Sequence, residues 1–528
     1  MIQICDRASH KNTDTYTMSE IGIPGIVLME RAAYALVQEV QKHSTKGDRI
    51  LAVCGSGNNG GDGVAAARIL HLMGYSCDVL LLCGKHGLTE ETEQQLEIAK
   101  NVGLTVYQIS CDSAEAVAEG QDTVICNPVY PVQCITSDVE FKGVKEYTIL
   151  LDAIFGIGLA RVIAEPYKSV VETINASDAF VVAADIPSGI DIDTGAVLGC
   201  AVQADITVSF GFGKPGLYLY PGAEYAGKVI VKEIGFVYPK EPEYNIIAYE
   251  DITELPIRQR NADSHKGSYG KVLLIAGFEE MSGACCMAAE AAYRCGAGLV
   301  RVLTSEDAKR VLQARMPELM VNSVDSIDWK EKLEKQLSWA DVIAIGPGLG
   351  MSEQAGCVLE MVLETKEKAL VLDADALNLL DGKLEKLPYN AVLTPHPAEL
   401  SRLLRLPLAE IKKDRFGILR KAGVRADIVL VCKDARTIIS QGKRACINLN
   451  GNSGMASGGS GDVLTGIIAA LLANGMEAYE AACAGVRIHA EAGDMAAKAL
   501  SEHAMLATDI IANLSNVFSI IEKKEVVL

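Results

Sequence analysis

Cysteine never occurs as a C-x-x-C pair in this chain, although there are 15 cysteines in 528 residues. An odd, scattered set lacks the spacing of a zinc ribbon or a disulfide framework. The thiols are therefore expected to stay reduced and to pack as small apolar residues. Long hydrophobic runs are missing too: stretches such as Ile467–Ala473 are far shorter than a membrane span. Met1 to Asp6 carries no basic region followed by an apolar core, so no secretory signal is expected. Positive charge is in deficit, 49 Lys and Arg against 68 Asp and Glu, a formal net charge of −19. That balance argues against a general role on nucleic acid or on anionic membranes, and the expectation is a cytoplasmic protein. An anionic substrate stays possible where helix N-termini and backbone N–H groups supply local positive field.

What is abundant is glycine, 48 residues, beside aromatics at only 5%. A chain of this length exceeds one hydrophobic core and should form two or three domains. Short apolar runs alternate with helical stretches throughout. Ile50–Cys54, Val79–Cys83, Thr148–Leu151, Phe180–Ala184 and Ile206–Phe210 read as strands in the first half. Lys271–Ala276, Leu299–Leu303, Val342–Ile345, Ala369–Leu372 and Ile428–Cys432 do so in the second. Gly63–Met73 and Cys285–Cys295 read as helices between them. Continuous apolar strands alternating with helices imply α/β domains with parallel sheets covered on both faces. A proline-bearing, charged stretch inside Gly235–Arg260 reads as a linker. The expected division is 1–238, a linker at 239–248, and 249–528. The apolar segment Ile21–Val40 is a candidate interface helix for a homo-oligomer.

Three strand ends in the first half carry polar residues amid glycines. Gly55-Ser-Gly-Asn-Asn-Gly-Gly-Asp-Gly63 follows a strand and opens a helix. Its glycines permit positive φ and close backbone approach, and its N–H groups can cradle a phosphate at the helix start. It is neither a G-x-G-x-x-G turn at dinucleotide spacing nor a P-loop. Asp152 precedes the turn Gly156-Ile-Gly-Leu-Ala-Arg161, and Asp185 and Ser188 lie in Asp185-Ile-Pro-Ser-Gly189. Each Asp alone is as readily a cap or turn residue as a site residue. Three such strand ends in one parallel sheet converge on a crevice and favour a site.

These runs, with Gly22-Ile-Pro-Gly25, Lys214-Pro-Gly216 and Tyr220-Pro-Gly222, resemble the NAD(P)H-hydrate epimerase family across nearly all of residues 1–236. The resemblance implies a Rossmann-like doubly wound sheet. It implies that Asn58, Asn59, Gly60, Gly61 and Asp62, with Gly156, Ile157, Gly158, Leu159, Ala160 and Arg161, line the site for the hydrated nucleotide. Asn59, Asp152 and Ser188 would hold a potassium ion, an oxygen set that suits a hard cation. Asp185 is the candidate acid/base, because inverting a hydroxyl-bearing ring carbon needs a carboxylate that gives and takes a proton.

In the second half, Asn450-Gly-Asn-Ser-Gly-Met-Ala-Ser-Gly-Gly-Ser-Gly-Asp462 leads into an apolar helix over Val463–Leu472. Backbone N–H groups there would form an anion hole with Asp462 at its mouth, and an Asp cap alone would not need the glycines. The segment resembles the Gly-x-Gly-Asp element of ribokinase-like enzymes. His265-Lys-Gly-Ser-Tyr-Gly270, Gly296-Ala-Gly298, Gly346-Pro-Gly-Leu-Gly350, Asp373-Ala-Asp-Ala-Leu-Asn378 and Thr394-Pro-His-Pro-Ala-Glu399 narrow it to NAD(P)H-hydrate dehydratases. The resemblance implies that Ala297, Gly348, His396 and Asp462 face the hydrate. Lys433, Asp434, Ala435, Arg436, Thr437 and Gly461 would contact an adenine nucleotide, with ADP as cofactor and magnesium as a further candidate ion. The run Lys433-Asp-Ala435 departs from the family by lacking a glycine after the lysine.

Dehydration must protonate the departing hydroxyl while the ring nitrogen pushes electrons toward the carbon it leaves. A proton from Asp462, or from a terminal nucleotide phosphate above Gly461, meets that need. The expected function is repair of hydrated NADH and NADPH by epimerisation of the R and S forms and dehydration of the S form. Two alternatives stay open: an epimerase fused to a ribokinase-like small-molecule kinase, and a non-catalytic binding scaffold.

Overall fold

The computed structural model describes residues 1–528 apart from 84–86, 111–143, 145, 240–243, 279, 326, 422–424 and 525–528. The chain divides into two compact units, Gln3–Glu243, and Tyr244–Leu528 with Met1–Ile2. Among the described residues no helix is long and apolar enough to cross a membrane.

After the short β1 (Ile2–Ile4), the first unit contains β2 (Arg49–Cys54), β3 (Ser76–Cys83), β4 (Thr105–Ser110), β5 (Ile149–Ala153), β6 (Phe180–Ala184), β7 (Ile206–Phe210) and β8 (Lys228–Lys232). They form one sheet in the order β4-β3-β2-β5-β6-β7-β8, with every pairing parallel. Leu51, Ala52, Val53 and Cys54 are buried, as are all five residues of β5, because helices cover both faces. The chain runs outward from β2 to β3 and β4, then returns to the other side of β2 as β5. That reversal opens a crevice at the carboxyl ends of β2 and β5. The helix Gly25–His43 buries Leu28, Met29, Ala32, Ala33, Leu36, Val37 and Val40 in its own unit's core. Its apolar face, expected from sequence at an oligomer interface, is thus largely consumed inside the fold.

The second unit contains β9 (Asn245–Ala248), β10 (Lys271–Ile275), β11 (Leu299–Thr304), β12 (Met320–Ser323), β13 (Val342–Ile345), β14 (Ala369–Leu372), β15 (Val392–Leu393), β16 (Val429–Cys432), β17 (Ile438–Gln441) and β18 (Arg444–Ile447). Their order is β9-β18-β17-β16-β15-β14-β13-β10-β11-β12. The pairs from β16 to β12 are parallel, while β16–β17 and β17–β18 are antiparallel. The stretch read as a linker, 239–248, partly lies outside the described residues, but Asn245–Ala248 is a strand running parallel to β18. Its short Asn-Ile-Ile-Ala pattern gives too few alternations to be legible from sequence. Here the reversal falls between β10 and β13. The helices Ser282–Arg294, Ser460–Ala473, Ala478–Leu500 and Ala507–Lys524 bury the largest apolar cluster against the sheet.

Candidate active sites

The first candidate site is built where β2 and β5 part. The helix Asn58–Leu72 starts immediately after β2, and its glycines serve close packing. None of the glycines from Gly55 to Gly63 has positive φ, so of the two freedoms the sequence permits there the fold uses the close backbone approach. A Cβ on Gly60 would lie 1.9 Å from Gly55 O, and one on Gly63 would lie 2.5 Å from Ala153 Cβ. The glycines let the helix start press onto the strand ends, which sets Asn58, Asn59 and Asp62 at the crevice. Asn59 packs against Gly156 of the neighbouring turn, 3.1 Å from where a Cβ would stand, and its buried Nδ2 has no partner.

Asp152, in β5, is sealed from solvent. Its Oδ1 accepts from Ser188 Oγ at 2.6 Å, and its Oδ2 accepts from Ser188 N at 2.7 Å. Ser188 Oγ in turn accepts from Phe155 N at 2.8 Å. Among the described residues no basic side chain contributes to this cluster, and burial pushes the Asp152 carboxyl up to about 6 against the lowering of the Ser188 bonds. Asp152 and Ser188, expected together from sequence, are together.

Asp185 follows β6 with φ of 69°, a left-handed conformation that turns its carboxylate back under β7. Its Oδ1 accepts from Phe210 N at 2.9 Å and from the ammonium of Lys214. Lys214 is wholly buried and also donates to Ser209 Oγ at 2.9 Å, Phe210 O at 3.2 Å and Phe212 O at 3.3 Å. Asp62 faces the same pair: burial first, then the charges of Asp185 and Asp14, push its carboxyl well above the carboxylate range. One carboxyl accepts from an ammonium while its neighbour Asp62 is driven toward the neutral acid, an arrangement suited to proton exchange.

Three side chains of this site escaped the sequence reading. Lys214 was visible only as part of a family run. A lysine between a glycine and a proline in an otherwise apolar stretch was the available signal. Arg7, on the first helix, donates to Ile157 O and, at 3.1 Å, to Leu159 O, and pairs with Asp191 at 2.9 Å. It clamps the turn Gly156–Arg161, whose Ala160 and Arg161 are exposed. His10 lies edge-on to Phe212 and Phe236, with both ring nitrogens buried and unpartnered. Burial first, then the Lys214 charge, lowers its pKa to about 4, so the ring is neutral.

The second candidate site collects the ends of β13, β14, β15 and β16 under the start of the helix Ser460–Ala473. The helix begins after Gly459, whose φ of 95° permits the turn, and Asp462 lies in its first turn. Asp373, after β14, is buried: its Oδ1 accepts from Lys433 Nζ at 2.7 Å and its Oδ2 from Thr465 Oγ1 at 2.8 Å. A Cβ on Gly461 would stand 3.4 Å from Lys433 Nζ, so its absence leaves room beside that ammonium. Burial first, then Asp373 and Asp375 against the pull of Lys433, raises Asp462 to about 7. Burial lowers the Lys433 ammonium, but Asp373, Glu399 and Asp462 outweigh it and leave the pKa raised.

Lys433 to Thr437 form the turn between β16 and β17, with Asp434 paired to Arg415, Ala435 exposed and Arg436 half-buried. Gly348 sits at the β10/β13 reversal, where Phe278 N donates to its carbonyl at 2.7 Å. His396 caps the helix Pro397–Leu404: its Nδ1 accepts from Ala398 N at 3.1 Å and Glu399 N at 3.3 Å. Its Nε2 remains half-exposed, 3.3 Å from Glu399 Oε1.

Ala297 does not join these residues. It precedes β11, whose Leu299 pairs with Lys271 at the start of β10, so it lies at the opposite edge of the sheet from Gly348 and Asp462. The Gly-Ala-Gly run there is a turn into a strand, which composition alone does not distinguish from a turn out of one. Beside Gly348 stand Met281 and Ala284, the latter 3.4 Å from a Cβ at that position. Ala284 is the alanine that the geometry offers in place of Ala297. Among the described residues no group of three His, Cys, Asp or Glu side chains suits a metal ion.

Comparison with known proteins covers both units. A family model described as NAD(P)H-hydrate dehydratase matches residues 272–516, and one described as YjeF-related protein N-terminus matches residues 25–216. The bifunctional NAD(P)H-hydrate repair enzyme Nnr of Coxiella burnetii is 37% identical over 94% of this chain and 95% of its own length. The enzyme of the same name from Escherichia coli is 35% identical over 94% of this chain and 90% of its own length. A crystal structure of the ADP/ATP-dependent NAD(P)H-hydrate dehydratase from Bacillus subtilis with ATP and magnesium is 29% identical. It covers 51% of this chain and 96% of that one, with a TM-score of 0.46.

Proposed function

The chain belongs to the family of bifunctional NAD(P)H-hydrate repair enzymes, and from that premise we propose how its two units divide the reaction. The first unit interconverts the R and S hydrates of NADH and NADPH, and the second dehydrates the S hydrate with an adenine nucleotide as cofactor. The observation that carries this division is that each unit has its own strand-reversal sheet with its own carboxylate at the strand ends, buried Asp185 in one and half-buried Asp462 in the other.

In the first unit, Asn58 to Asp62 and the turn Gly156–Arg161 take the nucleotide, with helix-start N–H groups toward its phosphates. The neutral Asp62 carboxyl protonates the ring hydroxyl, which leaves as water while the ring nitrogen takes up the positive charge. Water returns on the other face and gives its extra proton to Asp185, from which Asp62 is reprotonated. Asp152, Ser188 and Asn59 fit a potassium ion: the buried Asp152 carboxylate lacks a compensating cation, and its neighbours are oxygen donors. Such an ion would supply the missing positive charge beside the crevice. No magnesium site is derived from these residues.

In the second unit, Gly461 and the turn Lys433–Thr437 suit the nucleotide, since the space left by the missing Gly461 side chain adjoins the Lys433 ammonium. The nucleotide, ADP in this reading, would supply phosphate oxygens beside that ammonium. Asp462 delivers the proton to the departing hydroxyl, and Gly348 with Ala284 and His396 borders the hydrated ring. At neutral pH a carboxyl poised near 7 is populated in both forms, which suits a group that protonates and is reset each turnover.

The test supplies mixed R and S hydrates of NADH with ADP and follows recovery of the near-ultraviolet absorbance of reduced nicotinamide. Complete recovery is expected. For Asp185→Asn, recovery should stop at the S fraction, and for Asp462→Asn it should not occur. Full recovery by either variant overturns the role of that residue.

A further inference from the structure

Asp373 is among the most enclosed carboxylates of the second unit, and its oxygens are shared between two different elements. One accepts from Lys433 at the end of β16, the other from Thr465 within the helix Ser460–Ala473. Thr465 stands three residues after Asp462, which puts the two on the same helix face, one turn apart. A Cβ at Gly461 would be 3.8 Å from Asp373 Oδ2. Asp373 therefore joins the end of β14, the nucleotide turn after β16 and the first turn of the helix that carries Asp462. A charge-assisted hydrogen bond at each end fixes both distances.

The groups facing Asp462 are few. Asp373 and Asp375 come from the end of β14, and Lys433 from the end of β16. Lys433 is itself faced by Glu399 from the helix Pro397–Leu404. On the other side of the turn, Ser460 Oγ meets Nε2 of the buried His489 at 3.2 Å, and that ring is neutral because burial lowers its pKa to about 4. Asp373 is thus a negative neighbour set opposite the positive neighbour Lys433, with Asp462 between their influences.

We propose that Asp373 is a positioning residue for dehydration: it locks the Lys433 ammonium and the Asp462-bearing helix turn together, and its charge decides the form in which Asp462 works. This rests on the reading of Asp462 as the proton donor to the departing hydroxyl. Asp373 touches neither substrate nor nucleotide in this role. Lys433 and Asp373 act on Asp462 with opposite signs, so removing one or the other displaces its titration in opposite directions.

The experiment uses the full chain with the S hydrate of NADH and saturating ADP, and records kcat against pH. The unmodified protein should lose activity along an alkaline limb centred near pH 7, where Asp462 gives up its proton. Asp373→Asn should move that limb down by about one pH unit, and Lys433→Met should move it up by a similar amount. Thr465→Val keeps the charge of Asp373 and loses only one anchor. It should lower kcat several-fold with the limb in place. Limbs that coincide in Asp373→Asn and Lys433→Met overturn the proposal. Should Asp373→Asn fail to fold, an unmoved limb in Lys433→Met overturns it alone. An Asp462→Asn variant with normal turnover would instead remove the underlying reading of Asp462, whatever the limbs do.

Discussion

The ammonium of Lys214 donates to Oδ1 of Asp185 in a space closed to solvent, and among the described residues no other lysine of the first unit is so completely enclosed. Two charges have been taken out of water, which costs several kcal/mol per ion unless each is fully bonded. Lys214 meets that condition with three further oxygen acceptors, Ser209 Oγ, Phe210 O and Phe212 O. Asp185 is met by Phe210 N and Lys214 on the same oxygen, which leaves Oδ2 as the oxygen available to a substrate.

Lys214→Met should strand the Asp185 carboxylate and destabilise the first unit by about 3–5 kcal/mol. Both tryptophans, Trp329 and Trp339, belong to the second unit. In urea, circular dichroism should therefore gain an early transition that tryptophan fluorescence does not see. The double variant Lys214→Met with Asp185→Asn should recover part of the loss. Epimerisation should be absent in both, and a single unshifted transition in Lys214→Met would contradict the pairing.

A potassium ion held at Asp152, as proposed, should make stability depend on cations. Its folded-state pKa is raised from 3.8 to about 6 by burial, so the stability it contributes is present below 3.8 and lost as pH rises through 6. In a buffer of bulky organic cations the first unit should then melt lower at pH 8 than at pH 5. Potassium chloride at equal ionic strength should raise the melting temperature at pH 8. Asp152→Asn should remove both the pH trend through this window and the potassium response. A melting temperature indifferent to potassium in the unmodified chain would exclude the ion from this cluster.

Arg7→Ala should loosen the turn Gly156–Arg161 without touching Asp185. Hydrogen bonds from a charged donor contribute about 1.5–3 kcal/mol each, and Arg7 makes bonds to Ile157 O, Leu159 O and Asp191. The expected result is a KM for the R hydrate raised by about tenfold or more, with kcat reduced less. Equal losses in kcat and kcat/KM would place Arg7 in the chemical step instead.

Asp462→Asn should lower dehydration by about two to four orders of magnitude, the usual range for removing a positioned acid. Epimerisation by the same variant should be unchanged, as followed by the approach of pure S hydrate to an R and S mixture without nucleotide. A loss in both reactions would indicate damage to the whole chain.

Much of this architecture is legible in the sequence because parallel strands buried on both faces leave continuous apolar runs. Phe180–Ala184, Ile206–Phe210, Val342–Ile345 and Ala369–Leu372 are read there with the bounds seen in the structure. Short or half-buried strands escaped: β18, which opens on exposed Arg444, and β9, at the edge of the expected linker, offer no such run. Asp152 with Ser188 was legible because one lies in the last residues of a strand and the other in the turn after the neighbouring strand. Lys214, Arg7 and His10 were not, because long-range approach brings them to Asp185 and to the turn at Gly156, and local pattern carries no trace of it. Ala297 shows the converse. Its local motif looks like a site, yet its position before β11 puts it at the wrong edge of the sheet.

The Arg7 clamp has a consequence for biosynthesis. The arginine is made well before its partners, the carbonyls of Ile157 and Leu159 lying 150 and 152 residues later and Asp191 184 later. Until those segments have left the ribosome, the first helix has nothing to hold, and Lys214 must still follow before Asp185 can be enclosed. The crevice of the first unit is therefore completed late, when most of that unit has been made. A truncation anywhere before that point should leave a chain with helices and a partial sheet but no catalytic pocket.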